Sequence, residues 1–258
     1  MQENTVLIDF VNQWAEDEFW VGHLLTKKIY EYGPDLEENI AIGSISQDEI
    51  GHCRMLLNLH TTGEKQIDHL IYGKPPEQIK VSRLAEYWYE YDWARLVMKQ
   101  LIYDICDGVR LSFGGEIPDS GLQDVLRLMK REEAVHLEHW MEWALLISED
   151  SQGQSLLQKA AGQIYPLISD FFADPLIERV SAEYGLNSVS AKLLLKQCLD
   201  ELNPRLIQLG LSIPCPEQEM IGNLSVQGGR YGLHSSGFMP LYNEFTLVYR
   251  QNPDMVWG

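Results

Sequence analysis

The sequence predicts an all-α fold, an antiparallel bundle of four long helices followed by additional C-terminal helices and an irregular tail. Three observations predict it. Apolar residues recur at helical spacing over four long segments. Those segments are punctuated by Gly- and Pro-containing breaks, where a helical ladder cannot continue. Sustained apolar–polar alternation and hairpin dipeptides between β-branched runs are both missing, so strands have no signature.

The first helix runs from Thr5 to about Tyr32, with Leu7, Val11, Trp14, Val21, Leu25 and Ile29 on one stripe, and stops at Gly33-Pro34. Asp35 is placed to cap the second helix, which runs to about Leu59 and ends at Thr61-Thr62-Gly63. A connector containing Gly73-Lys74-Pro75-Pro76 has room for one short helix. The third helix is expected from about Ser82 to Phe113, broken by Gly114-Gly115 with Pro118, and the fourth from about Leu122 to Ile147. Shorter helices are predicted at 155–170, 175–184 and 188–209, with Pro204 kinking or ending the last. From Ser212 onward Pro214, Pro216, Gly222, Gly228-Gly229, Gly232 and Gly237 predict an irregular tail with one final helix over about Met239–Arg250. The expected organisation is one domain over 1–258: a core bundle at about 5–148, accessory helices at 155–209 and a tail at 212–258.

Composition narrows the function. The 258 residues are 45% apolar and 22% charged, a globular mixture. With 38 Asp and Glu against 20 Lys and Arg the net charge is −18, which repels phosphate backbones and anionic lipid, so neither nucleic acid nor a membrane is an expected partner. Cys53, Cys106, Cys198 and Cys215 form no CxxC pair, which predicts reduced thiols in a cytosol. The opening residues lack a basic n-region and no 18-residue apolar run occurs, so the expected location is cytoplasmic. A Gly-rich phosphate loop, a Ser-His-Asp order and a dinucleotide fingerprint are absent, which argues against kinase, hydrolase and dehydrogenase chemistry.

Two motifs carry chemistry. Glu49-Ile50-Gly51-His52 and Glu133-Ala134-Val135-His136 both read Glu-x-x-His, a spacing that puts carboxylate and imidazole on one helix face, able to reach one ion together. The spacing alone is a weak signal; the face sharpens it. Helix two reads Ile42, Ile45, Glu49, His52, Leu56, Leu59, and helix four reads Leu122, Leu126, Met129, Glu133, His136, Trp140, Trp143, Ile147. Each ionisable pair interrupts an apolar stripe, and a buried carboxylate needs a partner. Two such motifs plus one acid from each of two further helices is the arrangement of ferritin-like di-iron and di-manganese bundles. The extra acids fall where that arrangement requires: Glu18 on helix one, with Asp17 as the alternative, and Asp104 on helix three, with Asp107 as the alternative. The competing reading is that these acids pair with buried Arg or His in a polar core without metal. Oxygen and imidazole donors without thiolate suit iron or manganese, and four carboxylates balance two divalent ions. Open coordination positions on such a pair would bind and activate O₂.

At these residues the sequence resembles the phenylacetate-CoA oxygenase family, the ferritin-like subunits of ring-1,2-phenylacetyl-CoA epoxidase. Gln47-Asp48-Glu49-Ile50-Gly51-His52 is similar to that family's helix-two segment, Gln100-Leu101-Ile102-Tyr103-Asp104 to its third-helix aspartate segment, and Glu132-Glu133-Ala134-Val135-His136 to its fourth. Asp35–Ala41 and the tail from Gly229-Arg230-Tyr231-Gly232-Leu233-His234 to Tyr249-Arg250 resemble the PaaC-type subunit. The resemblance implies a ferritin-like four-helix bundle holding two iron ions, with manganese as the alternative. It implies an oxidoreductase that epoxidises an aromatic acyl-CoA or similar small organic substrate with O₂ and electrons from an external reductase. A homo-oligomer, or a hetero-oligomer with a paralogous subunit, is the expected assembly. PaaC-type structural subunits often lack metal ligands, whereas this chain keeps Glu18, Glu49, His52, Asp104, Glu133 and His136, which favours a metal-binding member. The alternatives are a non-catalytic subunit pairing with a catalytic paralogue, and an iron- or manganese-handling protein.

The other chemistry-bearing residues are read blandly. His139 and His23 are expected at the surface; Cys53, Cys106, Trp140 and Trp143 in the core; Arg127, Lys130 and Arg131 on a solvated face. Part of the aromatic run Tyr87, Trp88, Tyr89, Tyr91 and Trp93 is expected to bury at a subunit interface.

Overall fold

Six helices begin at a side-chain oxygen that satisfies otherwise unpaired backbone N–H groups. Asp35, Asp92, Asp119, Asp150, Asp174 and Ser190 each accept from an amide two or three residues on, so part of the acidic surplus serves as caps. The computed structural model describes residues 5–27, 33–87, 92–253 and 255. Its α-helices are α1 (Thr5–Thr26), α2 (Leu36–Asn58), α3 (Glu64–Asp68), α4 (Trp93–Glu116), α5 (Ser120–Ile147), α6 (Ser151–Ile164), α7 (Ile168–Phe172), α8 (Pro175–Glu183), α9 (Ala191–Gln208), α10 (Glu217–Asn223) and α11 (Phe238–Gln251). Among the described residues there is no strand, and the fold is all-α and ferritin-like.

Side-chain contacts fix the helix directions. On α1 and α2, His60 just past α2 meets Asn12 at 2.9 Å, and Ser46 donates to the Gly22 carbonyl at 2.8 Å, so the two run antiparallel. Gly22 permits this approach: a Cβ there would lie 2.9 Å from Glu49 Cβ. On α2 and α5, Glu38 accepts from Trp143 at 2.7 Å while His52 contacts Glu132 at 2.8 Å, again antiparallel. α1 meets α4 through Trp14 beside Gly114 and Glu18 beside Arg110, and α4 meets α5 through Gly114 beside Leu126 and Trp93 beside Trp143. Hence α1 and α5 point one way and α2 and α4 the other.

The buried stripe residues are those the periodicity selects, Leu7, Val11, Trp14, Val21 and Leu25 on α1 and Leu122, Leu126, Met129 and Trp140 on α5 among them. Cys53 and Cys106 are buried core thiols, and Cys106 Sγ lies 3.4 Å from Cys198 Sγ across α4 and α9. Among the described residues no helix is long and apolar enough to cross a membrane.

Several boundaries differ from expectation. The third long helix starts at Trp93, not Ser82, because residues 82–86 are held as turns: Asp17 accepts from the Ser82 amide at 2.8 Å and Ser82 caps Ala85. It also continues through Gly114-Gly115 to Glu116, since Gly114 is a packing glycine; a Cβ there would lie 2.8 Å from Leu126 and 3.0 Å from Trp14. The helix expected at 155–170 starts at Ser151, under the Asp150 cap, and is interrupted at Tyr165–Leu167, where Pro166 removes a donor. Pro204 does not end α9, which runs to Gln208. The terminator is Gly210 (φ 72), whose left-handed conformation lets the Leu211 amide reach the Leu206 carbonyl at 2.9 Å. The tail contains α10 besides the final helix. Residues 28–32 of the first predicted helix, and Trp88, Tyr89 and Tyr91 of the aromatic run, lie outside the described residues.

Candidate metal centre

Antiparallel packing of α2 on α5 turns the two Glu-x-x-His motifs toward each other, with imidazole centroids 6.3 Å apart. Each ring points Nδ1 inward. His52 Nδ1 lies 3.2 Å from Glu18 Oε2, 3.4 Å from Glu133 Oε1 and 4.0 Å from Glu49 Oε2; His136 Nδ1 lies 3.6 Å from Glu133 Oε1 and 3.9 Å from Glu49 Oε1. Each ring points Nε2 outward to a carboxylate of the opposite motif, His52 to Glu132 at 2.8 Å and His136 to Asp48 at 3.2 Å. Those acids immediately precede Glu133 and Glu49, so the two motifs brace one another reciprocally. An outer carboxylate of this kind fixes which ring nitrogen faces inward and raises its basicity as a ligand.

α1 and α4 complete the surroundings. Glu18, fully buried, has Oε2 toward His52, while its Oε1 accepts from Trp14 Nε1 at 3.1 Å, Tyr103 Oη at 3.0 Å and Arg110 Nη2 at 2.8 Å. Asp104 is buried, and neither of its oxygens has a hydrogen-bond donor. One ligand atom each from Glu18, Glu49, His52 and Glu133 can be chosen so that all lie within 4.8 Å of one another. His136 and Asp104 lie outside that tight group. His136 reaches it through Glu133 and Glu49, and Glu133 is the charge that acts most strongly on Asp104.

The electrostatics show a charge imbalance. Burial, then the charges of Glu133 and Glu18, push the Glu49 carboxyl well above the usual range; burial and Glu133 do the same to Asp104. Burial alone would raise Glu133 too, but His136 and His52 hold it down at about 2. Burial would lower His52, yet Glu133 and Glu18 carry it up to about 11. The two imidazoles can answer only part of four buried carboxylates. Lys99, on α4, adds positive charge toward Glu49 and Asp104; burial lowers it to about 8, and its ammonium donates to Gln100 at 2.8 Å.

The neighbouring acids have a different fate. Asp107 and Asp17 both bind Arg110, Asp107 through Nε at 2.7 Å and Asp17 through Nη1 at 2.7 Å. Asp17 is also held by Arg230 from the tail, at 2.6 and 3.1 Å. Acids paired with buried arginine therefore exist here, but at Asp17 and Asp107; the arginine–carboxylate chain stops at Glu18 Oε1.

The inner residues fit a cation. Both oxygens of Glu49, Asp104 and Glu133, and Nδ1 of His136, are buried without a hydrogen-bond partner. Such a concentration of orphaned acceptors is costly unless something positive sits among them. Carboxylate and imidazole donors without a thiolate at the cluster suit iron or manganese.

Several contacts had no signal in sequence periodicity. The sequence assigns Arg110 and Tyr103 no role, and Arg230 is 213 residues from Asp17. The outer carboxylates Asp48 and Glu132 are visible afterwards as acidic doublets, Asp48-Glu49 and Glu132-Glu133. His139 is half-buried rather than exposed, contacting Glu38 at 2.9 Å. His23 is also half-buried; Phe245 stands 3.7 Å from its ring centroid, and burial lowers it to about 4. Trp140 is fully buried, Trp143 partly so, and Arg127 is exposed and paired with Asp124 at 2.9 Å.

Compared with known proteins, residues 1–257 match the model of a family described as phenylacetic acid catabolic protein. No curated protein matches the chain.

Proposed function

The chain belongs to the phenylacetic acid catabolic protein family, and on that premise we propose that it is a cytoplasmic, dinuclear iron oxygenase, with manganese as the alternative metal. Glu18, Glu49, His52, Asp104, Glu133 and His136 would together hold the two ions. The observation that carries this reading is the set of buried acceptors on Glu49, Asp104, Glu133 and His136 with no donor, converging from three helices. When bound, such a pair supplies O₂ activation and oxygen-atom transfer to an organic substrate, for which the family suggests an aromatic acyl group.

The chain's own residues prepare that chemistry. Glu132 and Asp48 orient His52 and His136 so that Nδ1 is available inward. Arg110, Trp14 and Tyr103 occupy one oxygen of Glu18 and leave the other facing His52, which fixes the carboxylate's rotation. Fully buried Trp140, Met129, Leu56 and Ile42 line the helices around the motifs and exclude water. Electrons would come from a separate reductase, and the chain would work in an oligomer with its own copies or a paralogue.

The test is turnover with labelled dioxygen. Iron-loaded protein, supplied with a chemical reductant and an aromatic substrate panel, is expected to place ¹⁸O from ¹⁸O₂ in product. Metal bound at about two per chain with no labelled product and no reductant-dependent O₂ uptake would instead favour metal handling.

A further inference from the structure

Three tryptophans stand in a row beyond His136, and none is a candidate ligand. Trp140 lies one turn along α5 from His136, on the same stripe, and is fully buried. α4 begins at Trp93, under the Asp92 cap, which places its ring beside the C-terminal half of α5. The Trp93 ring centroid is 6.4 Å from that of Trp140 and 5.1 Å from that of Trp143. Both separations are those of aromatic rings in contact. Trp93 and Trp143 are partly exposed, so the row leads from beside a candidate ligand to the surface.

The three indole N–H groups differ. Among the described residues, Trp140 Nε1 and Trp93 Nε1 are buried with no acceptor. Trp143 Nε1 donates to Glu38 Oε2 at 2.7 Å, and the other Glu38 oxygen meets His139 at 2.9 Å. An indole that loses an electron becomes strongly acidic at nitrogen. Without an acceptor it must carry its positive charge in an apolar surrounding, which is costly. With a carboxylate in hydrogen-bond contact, the proton leaves with the electron. Trp143 is therefore the easiest of the three to oxidise, and an oxidising equivalent entering the row comes to rest there.

We propose that Trp140, Trp93 and Trp143 form an electron path that quenches the centre when O₂ has reacted there and no substrate has been oxidised. The proposal rests on the oxygenase reading above and adds a protective function to it. Trp140 gives one electron to the oxidised centre, Trp93 refills Trp140, and Trp143 refills Trp93 and hands its indole proton to Glu38. The balance is one electron from Trp143 to the centre and one proton from Trp143 to Glu38. An external one-electron donor of the ascorbate class restores Trp143, and the proton returns from Glu38.

The test mixes ferrous-loaded protein of measured metal content with O₂, without substrate or added reductant, and freezes it at successive times. Electron paramagnetic resonance is expected to show a neutral indolyl radical, and peptide mass spectrometry to find oxygen-bearing product concentrated at Trp143. Ascorbate and Trp93→Phe should each remove both signals, with metal content and helical circular dichroism unchanged. Product at Trp143 that persists in Trp93→Phe overturns the proposal, because the residue is then oxidised from solution. O₂ consumption by metal-loaded protein with Trp143 untouched also overturns it and leaves the oxygenase standing. A chain that takes up no metal, or consumes no O₂, removes the oxygenase and the path with it. Metal-free protein photo-oxidised by a ruthenium bipyridine complex reads the end of the path alone. There the deprotonated radical should shrink in both Trp143→Phe and Glu38→Gln, and a signal unchanged by Glu38→Gln overturns the proposal.

Discussion

Replacing Arg230 with Met removes one of the tail's links to the core while keeping an apolar stem in place. Arg230 is 4% exposed and donates to both oxygens of Asp17 at 2.6 and 3.1 Å and to the Lys80 carbonyl at 3.0 Å, with its guanidinium 5.4 Å from the Phe171 ring. Removing one member of a buried ion pair costs roughly 3–5 kcal/mol when the other is left alone. Asp17 is not left alone, because Arg110 at 2.7 Å and the Ser82 amide at 2.8 Å remain. The lower end, about 3 kcal/mol, is therefore expected, and for a chain of this size it lowers Tm by about 6–12 °C. Thermal unfolding of Arg230→Met, Asp17→Asn and the double variant reads this directly. The two changes should be coupled by about 2 kcal/mol, as expected for groups in one network. A fall below about 2 °C in Arg230→Met would refute the reasoning, since it would mean that the tail arginine is not buried against Asp17 in solution. Metal content measured on the same variant reports whether Arg110, released toward Asp17, loosens its hold on Glu18.

Three other outcomes are expected. Gly22→Val places methyl groups where Glu49 Cβ and Ile50 Cγ1 already stand 2.9 Å from a bare Cβ; overpacking costs about 1–3 kcal/mol and parts α1 from α2, so denaturant titration should show lost stability and metal analysis a lower occupancy. His23 is lowered from 6.5 to about 4 by burial, so the unfolded chain takes up the proton first; its contribution is complete above pH 6.5 and is lost as pH falls toward 4. Urea titrations at pH 7 and pH 5 should therefore show a smaller pH-dependent loss in His23→Leu than in the parent, and equal losses would contradict that assignment. Glu132→Gln and Asp48→Asn remove the acids behind His52 and His136 and should each weaken metal binding about 10–100-fold in competition with a chelator, while leaving the helical circular dichroism signal unchanged.

The fold and much of the centre were legible because burial and helical periodicity select the same faces. Glu49, His52, Glu133 and His136 each interrupt an apolar stripe, and all four are buried. Sequence preferred Glu18 to Asp17 and Asp104 to Asp107 without settling either choice, since Asp17 and Glu18 border the same stripe and residues 104 and 107, three apart, share a helix face. The structure adds that Arg110 binds Asp17, Glu18 and Asp107 and Arg230 binds Asp17, while neither oxygen of Asp104 has a donor. Periodicity also misread glycine and proline. Gly114 permits close packing instead of ending α4, and Pro204 falls so near the end of α9 that the helix tolerates it. The aromatic-rich stretch before Trp93 has helical texture, but Asp17 and Ser82 engage the amides of residues 82 and 85 and hold 82–86 as turns. Such long-range pairing leaves no local pattern to read.

Metal stoichiometry tests the central claim most directly. Protein purified after iron-supplemented expression should carry about two metal ions per chain, and the Glu49→Ala/His52→Ala double variant should lose them while keeping its helical content. Equal metal content in parent and variant, or none in either, would contradict a dinuclear centre built from Glu18, Glu49, His52, Asp104, Glu133 and His136.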